Sequence, residues 1–309
     1  MPTFLNGNDM RKKYVFLVGA PRSGTTWLQL MLAQHPDVVS CQETHLFSAY
    51  FGVLQRRWRQ HEDDNRKVGL QAAISHEEFV AILRQSVLKV LDAIGDKPVI
   101  LEKTPSHVQY APEILEVMPE AYFIHIIRDP RSVASSLAAA GSSWGKKWAA
   151  TDPEHNARRW YQDVKRGLEI GNLTSRYKEL RYETLLRQTR DELGSIFDWL
   201  DLDANPELCE SIAQNSQIGK LQNSQTSNLP WDISNEPKGF YRKGEAEGWR
   251  NDMSSGDVAI VEATVGPLMR QLGYEVVSSG ANPIRLVARK ARMRISWFLK
   301  GVGARLSYD

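Results

Sequence analysis

One segment of the chain has the residue types of a phosphate-binding loop. Residues 19–26 read Gly-Ala-Pro-Arg-Ser-Gly-Thr-Thr, between the apolar run 14–18 and a helical pattern that begins at residue 25. A strand, a glycine-bounded loop and a helix N-terminus in this order favour an oxyanion, because the loop N–H groups and the helix dipole both attract negative charge. We therefore expect this loop to bind a phosphate-like group.

The cation of this loop differs from that of a nucleoside triphosphatase. In a Walker loop, G-x-x-x-x-G-K-[ST], a lysine reaches the terminal phosphates. Thr25 stands at the lysine position here, and the nearest cation is Arg22, inside the loop. Its guanidinium would lie beside the group that is transferred rather than along a triphosphate tail. An ordinary NTPase is therefore disfavoured, and the alternative to a binding loop is a glycine turn with Arg22 in solvent.

A second candidate anion-binding residue follows a predicted strand later in the chain. Residues 121–127 form an apolar run with β-branched residues, which is typical of a buried parallel strand. Asp129 and Pro130 are typical of a helix cap and first turn. Arg128 thus lies at the carboxyl end of a strand, where open α/β sheets bind their ligands. An ordinary surface arginine is the alternative.

Both segments resemble motifs of one enzyme family. Pro21-Arg-Ser-Gly-Thr-Thr-Trp27 resembles the 5′-phosphosulfate loop of the sulfotransferases that use 3′-phosphoadenosine 5′-phosphosulfate (PAPS) as donor. The sequence Ile-Ile-Arg-Asp-Pro-Arg-Ser-Val-Ala-Ser-Ser is similar to the family's 3′-phosphate segment, and Arg128 and Ser136 keep the family's eight-residue interval. The resemblance implies that Trp27 stacks on adenine, with core packing as the alternative.

A third segment, 240–251, is similar to the R-K-G-x-x-G-D-W-K stretch of cytosolic sulfotransferases, which binds the nucleotide 3′-phosphate. Glu247 and Gly248 depart from that pattern. Without the family, the segment is a basic, glycine-broken surface loop. The resemblance implies that the 5′-phosphosulfate is bound by Arg22, Ser23, Gly24, Thr25 and Thr26, and the 3′-phosphate by Arg128, Ser136, Arg242, Lys243 and Gly244.

Transfer of a sulfuryl group to a hydroxyl needs a general base, and cations that stabilise the developing charge. Glu43 lies at the carboxyl end of a short predicted strand, 38–41. The stretch Ser-Cys-Gln-Glu-Thr-His-Leu-Phe resembles the E-T-R and E-x-H-F-F segments that carry the catalytic glutamate of tyrosylprotein and heparan sulfotransferases. Glu43 is thus the first candidate base and His45 the second. An ion pair between Glu43 and a nearby Arg or Lys is the structural alternative.

Charged residues also end the predicted strand 99–102. Lys103-Thr-Pro-Ser-His107 resembles the K-T-H segment of cytosolic sulfotransferases, but Pro105 occupies the position of the catalytic histidine. His107 is therefore a third candidate base, and the resemblance implies that Lys103 contacts the sulfuryl oxygens or the acceptor. A later Leu-Arg-Tyr-Glu-Thr-Leu stretch resembles the family's R-Y-E-D-L strand end, which implies that Tyr182 organises the donor site.

Strand and helix patterns alternate along the chain. The predicted strands are 14–18, 38–41, 99–102, 121–127 and 178–182. This alternation predicts the α/β class, a P-loop-like three-layer sandwich with a mainly parallel central sheet flanked by helices. We assign residues 1–280 to one sulfotransferase domain, with an exposed helical insertion at 48–78 and a loop over the site at 214–248.

Residues 281–309 are predicted to form a basic amphipathic helix, because apolar and basic residues intermingle there. Such a helix fits an anionic membrane surface or a partner, and packing on its own domain is the alternative. The apolar stretch 14–20 is too short for a signal peptide, and no run is long enough to span a bilayer. Cys41 and Cys209 lack metal-ligand spacing, so we expect a reduced, cytoplasmic setting.

The sequence therefore predicts a cytoplasmic, membrane-peripheral sulfotransferase. It would transfer the sulfuryl group of PAPS to a hydroxyl of a glycan, lipid or small alcohol and release PAP, the desulfated nucleotide, without a metal. The net charge of +2 argues neither for bulk nucleic-acid binding nor for an acidic tail, and we expect no nucleic-acid partner. The alternatives are a P-loop-type small-molecule kinase, which would need magnesium, and a nucleotide-binding protein without catalysis. The oligomeric state is left open.

Overall fold

The computed structural model describes the backbone of residues 12–61, 69–222, 236–237, 239–241 and 244–278, and of these it leaves out the side chains of residues 221–222. Arg242, Lys243 and the predicted helix 281–309 lie outside the described residues. The chain divides into two compact units, Met1–Arg128 with Gln162–Ala246 and Asp129–Tyr161 with Glu247–Asp309.

A five-stranded sheet forms the centre of the first unit, and all of its strand pairs are parallel. The strand order is β2-β3-β1-β4-β5. The strands are β1 (Lys13–Gly19), β2 (Val38–Ser40), β3 (Val99–Lys103), β4 (Tyr122–Ile127) and β5 (Tyr177–Arg181). The predicted strands and the predicted α/β class are thus confirmed. Because β1 lies between β3 and β4, the loops that follow these three strands converge at the carboxyl edge of the sheet, where such sheets bind ligands.

Helices follow the strands as the alternation predicts. They are α1 (Thr25–Leu32), α2 (Phe51–Gln60), α3 (His76–Asp92), α4 (Ala111–Val117), α5 (Pro130–Gly141), α6 (Pro153–Leu173), α7 (Tyr182–Arg187), α8 (Thr189–Trp199), α9 (Pro206–Asn215), α10 (Ile218–Gln222), α11 (Trp249–Asp252) and α12 (Ser255–Gln271). A π-helical turn, Leu46–Tyr50, precedes α2, and a 3-10 turn, Pro105–Tyr110, precedes α4. None of the helices in these described ranges is long and apolar enough to cross a membrane.

The alternation of β1 side chains divides the core of the first unit between the two faces of the sheet. Val15 and Leu17 belong to one buried cluster, together with α1 and α8. Phe16 and Val18 belong to a second cluster, together with α3 and α4. Both faces of the sheet are therefore covered, which gives the three layers that the sequence predicts.

The second unit is organised by one buried guanidinium. Arg131 lies in the first turn of α5, and its Nη2 donates to Asp129 Oδ2 at 2.6 Å. Its Nη1 donates to Glu262 Oε1 of α12 at 2.6 Å, and its Cζ lies 3.8 Å from the ring centroid of Trp249. Glu262 also accepts from the backbone N–H of Ser278 at 2.7 Å. A buried charge is tolerated when it is paired in this way, so Arg131 joins the parts of this unit.

A glycine in α6 makes room for a buried histidine of β4. His125 has no solvent exposure, and burial lowers its pKa to about 3, so the imidazole is neutral. Its Nδ1 lies 2.9 Å from the Tyr177 hydroxyl. A Cβ at Gly167 would lie 2.1 Å from His125 Cε1. The close approach of α6 to the sheet therefore requires glycine at this position.

We predict that Gly167→Ala destabilises the protein although alanine favours a helix. Overpacking of a buried site costs about 1–3 kcal/mol, so the free energy of unfolding in urea should fall by roughly that amount. The matched control is Gly194→Ala in α8, where a Cβ would meet only Cys209 Sγ at 4.0 Å. That variant should gain roughly 0.5–1 kcal/mol from the lower entropy of the unfolded chain. Equal stability changes in the two variants would contradict the packing argument.

Candidate active site

The phosphate-loop candidate is a left-handed turn that only small residues permit at two positions. Gly24 has φ 99° and caps α1, and Arg22 also has a positive φ, 72°. A Cβ at Gly24 would lie 2.5 Å from the Tyr182 ring, and one at Gly19 would lie 2.6 Å from the Ile126 carbonyl oxygen. The backbone of the loop is thus fixed by close contacts with β4 and α7.

A buried hydroxyl in this loop fits an anion. Ser23 is fully buried, and its backbone N–H donates to the Ala20 carbonyl at 3.1 Å. Its Oγ has no hydrogen-bond partner among the residues that the structure describes. Buried hydroxyls are normally hydrogen-bonded, so an oxyanion at the N-terminus of α1 would satisfy this group.

The two predicted anion-binding arginines lie at the same loop. Arg22 Nη2 donates to the Phe240 carbonyl at 2.6 Å, and Arg128 Nη1 donates to the Arg22 carbonyl at 3.3 Å. Arg128 Nη2 donates to the Glu245 carbonyl at 3.0 Å, and its Cζ lies 4.0 Å from the centroid of the Tyr182 ring. The structure therefore brings Arg22 of the first motif, Arg128, and Phe240 and Glu245 of the third motif together.

Tyr182 is buried between these elements. Burial raises the pKa of its phenol, and the charge of Arg128 opposes that shift. Trp27 packs edge-on against Tyr182 with ring centroids 5.7 Å apart, and its Nε1 donates to the Ser216 carbonyl at 2.8 Å. Trp27 is thus part of the buried cluster around α1. Gly244 has φ 68°, and a Cβ there would lie 2.1 Å from the Ile218 side chain.

The other predicted donor residues are less completely described. Ser136 is buried in α5 and belongs to the second unit. Trp249 stands at the tryptophan position of the R-K-G-x-x-G-D-W-K pattern; it also belongs to the second unit, and the Arg131 guanidinium lies over its ring. Thr25 is buried in the first turn of α1. The predicted contacts of Ser136, Arg242 and Lys243 with the 3′-phosphate therefore stay predictions.

Lys103 links the first candidate base, Glu43, to the end of the phosphate loop. Lys103 Nζ donates to Glu43 Oε1 at 2.6 Å and to Thr26 Oγ1 at 3.2 Å. The Lys103 side chain is only 5% exposed, whereas that of Glu43 is 36% exposed. The ion pair that was the structural alternative for Glu43 is therefore present, and it lies at the N-terminus of α1. A carboxylate in this position is accessible to an acceptor.

The two candidate histidines differ in their surroundings. His45 is half-exposed, and its Nε2 lies 3.6 Å from Glu43 Oε2. His107 is fully buried in the 3-10 turn. Its Nδ1 lies 2.9 Å from Glu102 Oε2, and its Nε2 accepts the backbone N–H of Phe47 at 3.0 Å. Both ring nitrogens of His107 are therefore occupied within the protein, which favours Glu43 as the base.

Two carboxylates near the site were not singled out from the sequence. Glu102 is buried on β3, and a charged residue in a buried strand signals a paired group. Burial raises the pKa of Glu236, the neighbouring charge of Glu43 adds to this shift, and Lys103 and Arg22 oppose it. Glu236 lies in the polar loop predicted to cover the site, where nothing in the local pattern distinguishes it. Groups of three or more possible metal ligands do not occur in the described ranges.

Comparisons with known proteins agree with this geometry. A model of the sulfotransferase family matches residues 15–206. Protein-tyrosine sulfotransferase A of Caenorhabditis elegans is 23% identical over 312 residues, covering 96% of this chain and 78% of that protein.

Among solved structures, the sulfotransferase domain of the Synechococcus PCC 7002 olefin synthase is 21% identical, with a TM-score of 0.58 over 88% of this chain and 99% of that one. Mouse sulfotransferase SULT7A1, solved with PAP, is 16% identical, with a TM-score of 0.55 over 84% of this chain and 85% of that one. These structures share the fold. Since the family model spans more than half of the chain, this protein belongs to the sulfotransferase family, and the predicted class of PAPS-dependent sulfotransferase is confirmed.

Proposed function

We propose that this sulfotransferase uses Glu43 as general base and transfers the sulfuryl group of PAPS in line to an acceptor hydroxyl. The observation that carries this proposal is that Lys103 Nζ donates two hydrogen bonds, one to Glu43 and one to Thr26. It connects the candidate base with the helix N-terminus at which the 5′-phosphosulfate is expected.

The proposed step follows from this connection. The acceptor oxygen forms a bond to sulfur as the bond from sulfur to the 5′-phosphate oxygen breaks, and the acceptor proton passes to Glu43. Lys103 uses two of its three N–H donors on Glu43 and Thr26 in the described part of the chain. The third donor, with Arg22, would stabilise charge on the sulfuryl and bridging oxygens. PAP is then released.

The donor would be held at both ends. Arg22 and the loop through Thr26 would bind the 5′ end, and Arg128 the 3′-phosphate. A guanidinium binds phosphate through charge-assisted, bidentate hydrogen bonds. The Arg128 hydrogen bonds to the carbonyls of Arg22 and Glu245 support this role, because they hold the guanidinium beside the loop. Ser136, Arg242 and Lys243 are proposed to complete the 3′-phosphate site.

The acceptor is proposed to be a hydroxyl of a tyrosyl peptide, a glycan, a lipid or a small alcohol. Tyrosine is included because relatives such as that of Caenorhabditis elegans carry the name protein-tyrosine sulfotransferase. Attachment of residues 281–309 to an anionic membrane and a cytoplasmic setting also remain proposals. Because the chain belongs to the sulfotransferase family, we no longer retain the kinase or the protein without catalysis as hypotheses.

Replacement of the base should separate catalysis from donor binding. Glu43→Gln should reduce sulfuryl transfer by about 10²–10⁴-fold, because that is the typical contribution of a general base. Its affinity for PAP should stay within about twofold, since the loop and Arg128 are intact. The assay uses sulfur-labelled PAPS with a panel of one tyrosyl peptide, one oligosaccharide, one lipid and one small alcohol, and calorimetry measures PAP binding.

The matched control is His45→Gln, which removes the neighbouring candidate base and keeps Glu43. We expect turnover to stay within about fivefold of the original enzyme, since the contact between the exposed His45 ring and Glu43 contributes little. If instead Glu43→Gln turns over normally while His45→Gln is inactive, the assignment of the base is wrong.

A ligand comparison tests the 3′-phosphate role of Arg128. Arg128→Ala should weaken PAP binding by about 10–100-fold, because hydrogen bonds to a charged group contribute roughly 1.5–3 kcal/mol. Binding of 5′-AMP, which lacks the 3′-phosphate, should change by less than about threefold. Arg22→Ala serves as the comparison and should weaken both ligands. Equal losses for PAP and 5′-AMP in Arg128→Ala would show that this arginine only supports the loop.

A further inference from the structure

Two buried ionisable residues beside Glu43 take no part in the proposed transfer. Glu102 is 1% exposed and His107 has no exposure. Burial of such groups is costly unless each polar atom has a partner. The partners of this pair lie mostly on the segment that carries Glu43, which indicates what the pair does.

Glu102 binds the residue that follows Glu43. Its Oε1 accepts from Thr44 Oγ1 at 2.7 Å and from the Thr44 backbone N–H at 3.4 Å. The same oxygen accepts from Thr104 Oγ1 at 2.6 Å. Burial raises the pKa of Glu102, whereas the hydrogen bonds from His107, Thr104 and Thr44 lower it, and the lowering prevails. Both carboxyl oxygens accept hydrogen bonds within the protein.

His107 binds the other end of the segment, at Phe47. Its Nε2 accepts the backbone N–H of Phe47 at 3.0 Å, so that nitrogen carries no proton. The proton is then on Nδ1, which donates to Glu102 Oε2 at 2.9 Å. The backbone N–H of His45 donates to Thr104 Oγ1 at 3.2 Å. Thr44, His45 and Phe47 are thus hydrogen-bonded to Glu102 of β3, to Thr104 and to His107 of the turn, respectively.

The same strand end carries Lys103, which binds Glu43 directly. Neighbouring residues of a strand point to opposite faces, so Glu102 and Lys103 hold the Glu43 segment by separate groups. Lys103 is the group proposed to stabilise charge in the reaction. The buried pair has no such role, and its hydrogen bonds hold the backbone of the segment that carries Glu43.

We propose that Glu102 and His107 are a positioning pair, which holds the Glu43 segment at the place where its carboxylate reaches the acceptor proton. This inference rests on the proposed role of Glu43. A misplacement of about 1 Å at a reacting group costs on the order of 100-fold in rate. Loss of the pair should therefore lower kcat and leave donor binding unchanged, since the phosphate loop has its own contacts.

Paired substitutions test each hydrogen bond separately. His107→Asn keeps a donor near the Nδ1 position and loses the acceptor for Phe47, whereas His107→Gln keeps an acceptor near the Nε2 position. Thr44→Val removes the hydroxyl bound to Glu102, and Thr44→Ser retains it. Glu102→Gln places an amide N–H₂ against donors in either orientation. We expect kcat to fall about 10–100-fold in Glu102→Gln and His107→Asn and about 5–20-fold in Thr44→Val. Thr44→Ser should stay within about twofold of the original enzyme.

The matched control is another buried histidine with both nitrogens bonded. His35 Nδ1 accepts the Asp37 N–H at 3.0 Å, and its Nε2 lies 3.1 Å from the Asp203 carbonyl. It precedes β2, at the edge of the sheet opposite to the candidate site. His35→Gln should lower stability but leave kcat per PAP-binding site within about twofold. This variant separates a local positioning effect from general destabilisation.

The readouts are the PAP dissociation constant, the number of PAP sites by calorimetry, and kcat with the panel acceptor that the original enzyme labels fastest. Support requires that kcat per PAP site falls in Glu102→Gln, His107→Asn and Thr44→Val, and returns in Thr44→Ser. The proposal is overturned if these variants bind PAP and keep full kcat, or if Thr44→Ser is as slow as Thr44→Val. If the two buried-site variants do not fold, the threonine pair alone decides.

Glu43→Gln is assayed in parallel. If it is inactive while the Glu102 and His107 variants are fully active, the proposed role of Glu43 as base is supported and the proposed positioning role of Glu102 and His107 is wrong. If it is fully active, the proposed function of Glu43 fails, whatever the other variants do.

Discussion

The site depends on the close approach of the phosphate-loop backbone to one buried aromatic ring. Tyr182 lies against Gly24 at a distance that admits no Cβ, and the guanidinium of Arg128 lies 4.0 Å from the same ring. The loop and Arg128, the second predicted anion-binding arginine, therefore pack against the same ring. Since Tyr182 begins α7 directly after β5, the ring is fixed by the sheet rather than by a surface loop. A nucleotide with phosphates at both ends can be held in one register by such an arrangement.

Different groups of the first unit are proposed to stabilise charge and to position the base. In the proposed reaction, the backbone N–H groups at α1 and the arginines would supply fixed positive charge, which requires no reorganisation when charge develops on PAPS. Lys103 bonds both to Thr26 of α1 and to Glu43, so one ammonium group would position the proposed base relative to the proposed PAPS site. The buried carboxylate of Glu102 carries no reaction step. Its two oxygens accept from the side chains of Thr44, Thr104 and His107, and these hydrogen bonds make its burial tolerable.

Much of this could be predicted from the sequence. The five strands are short apolar runs bounded by turn residues, and the parallel sheet follows from their alternation with helices. The positions of Arg22, Arg128, Glu43 and Lys103 could be predicted because each lies at or just after the carboxyl end of a strand, and these ends of parallel strands meet at one edge. The environment of His107 could not, because it depends on where the π-helical turn at Leu46–Tyr50 places the Phe47 N–H. Likewise, the pairing of Arg131 with Glu262 joins residues far apart in the chain, and no local pattern specifies such a partner.

The measurement that tests the account most directly is a crystal structure with PAP bound. We expect the 5′-phosphate at the N-terminus of α1, within hydrogen-bond distance of Ser23 Oγ and of the loop N–H groups, and the 3′-phosphate on the Arg128 guanidinium. The Tyr182 ring should not move, because it supports both ends. A structure in which PAP occupies the loop while the Arg128 guanidinium touches no phosphate would contradict the account.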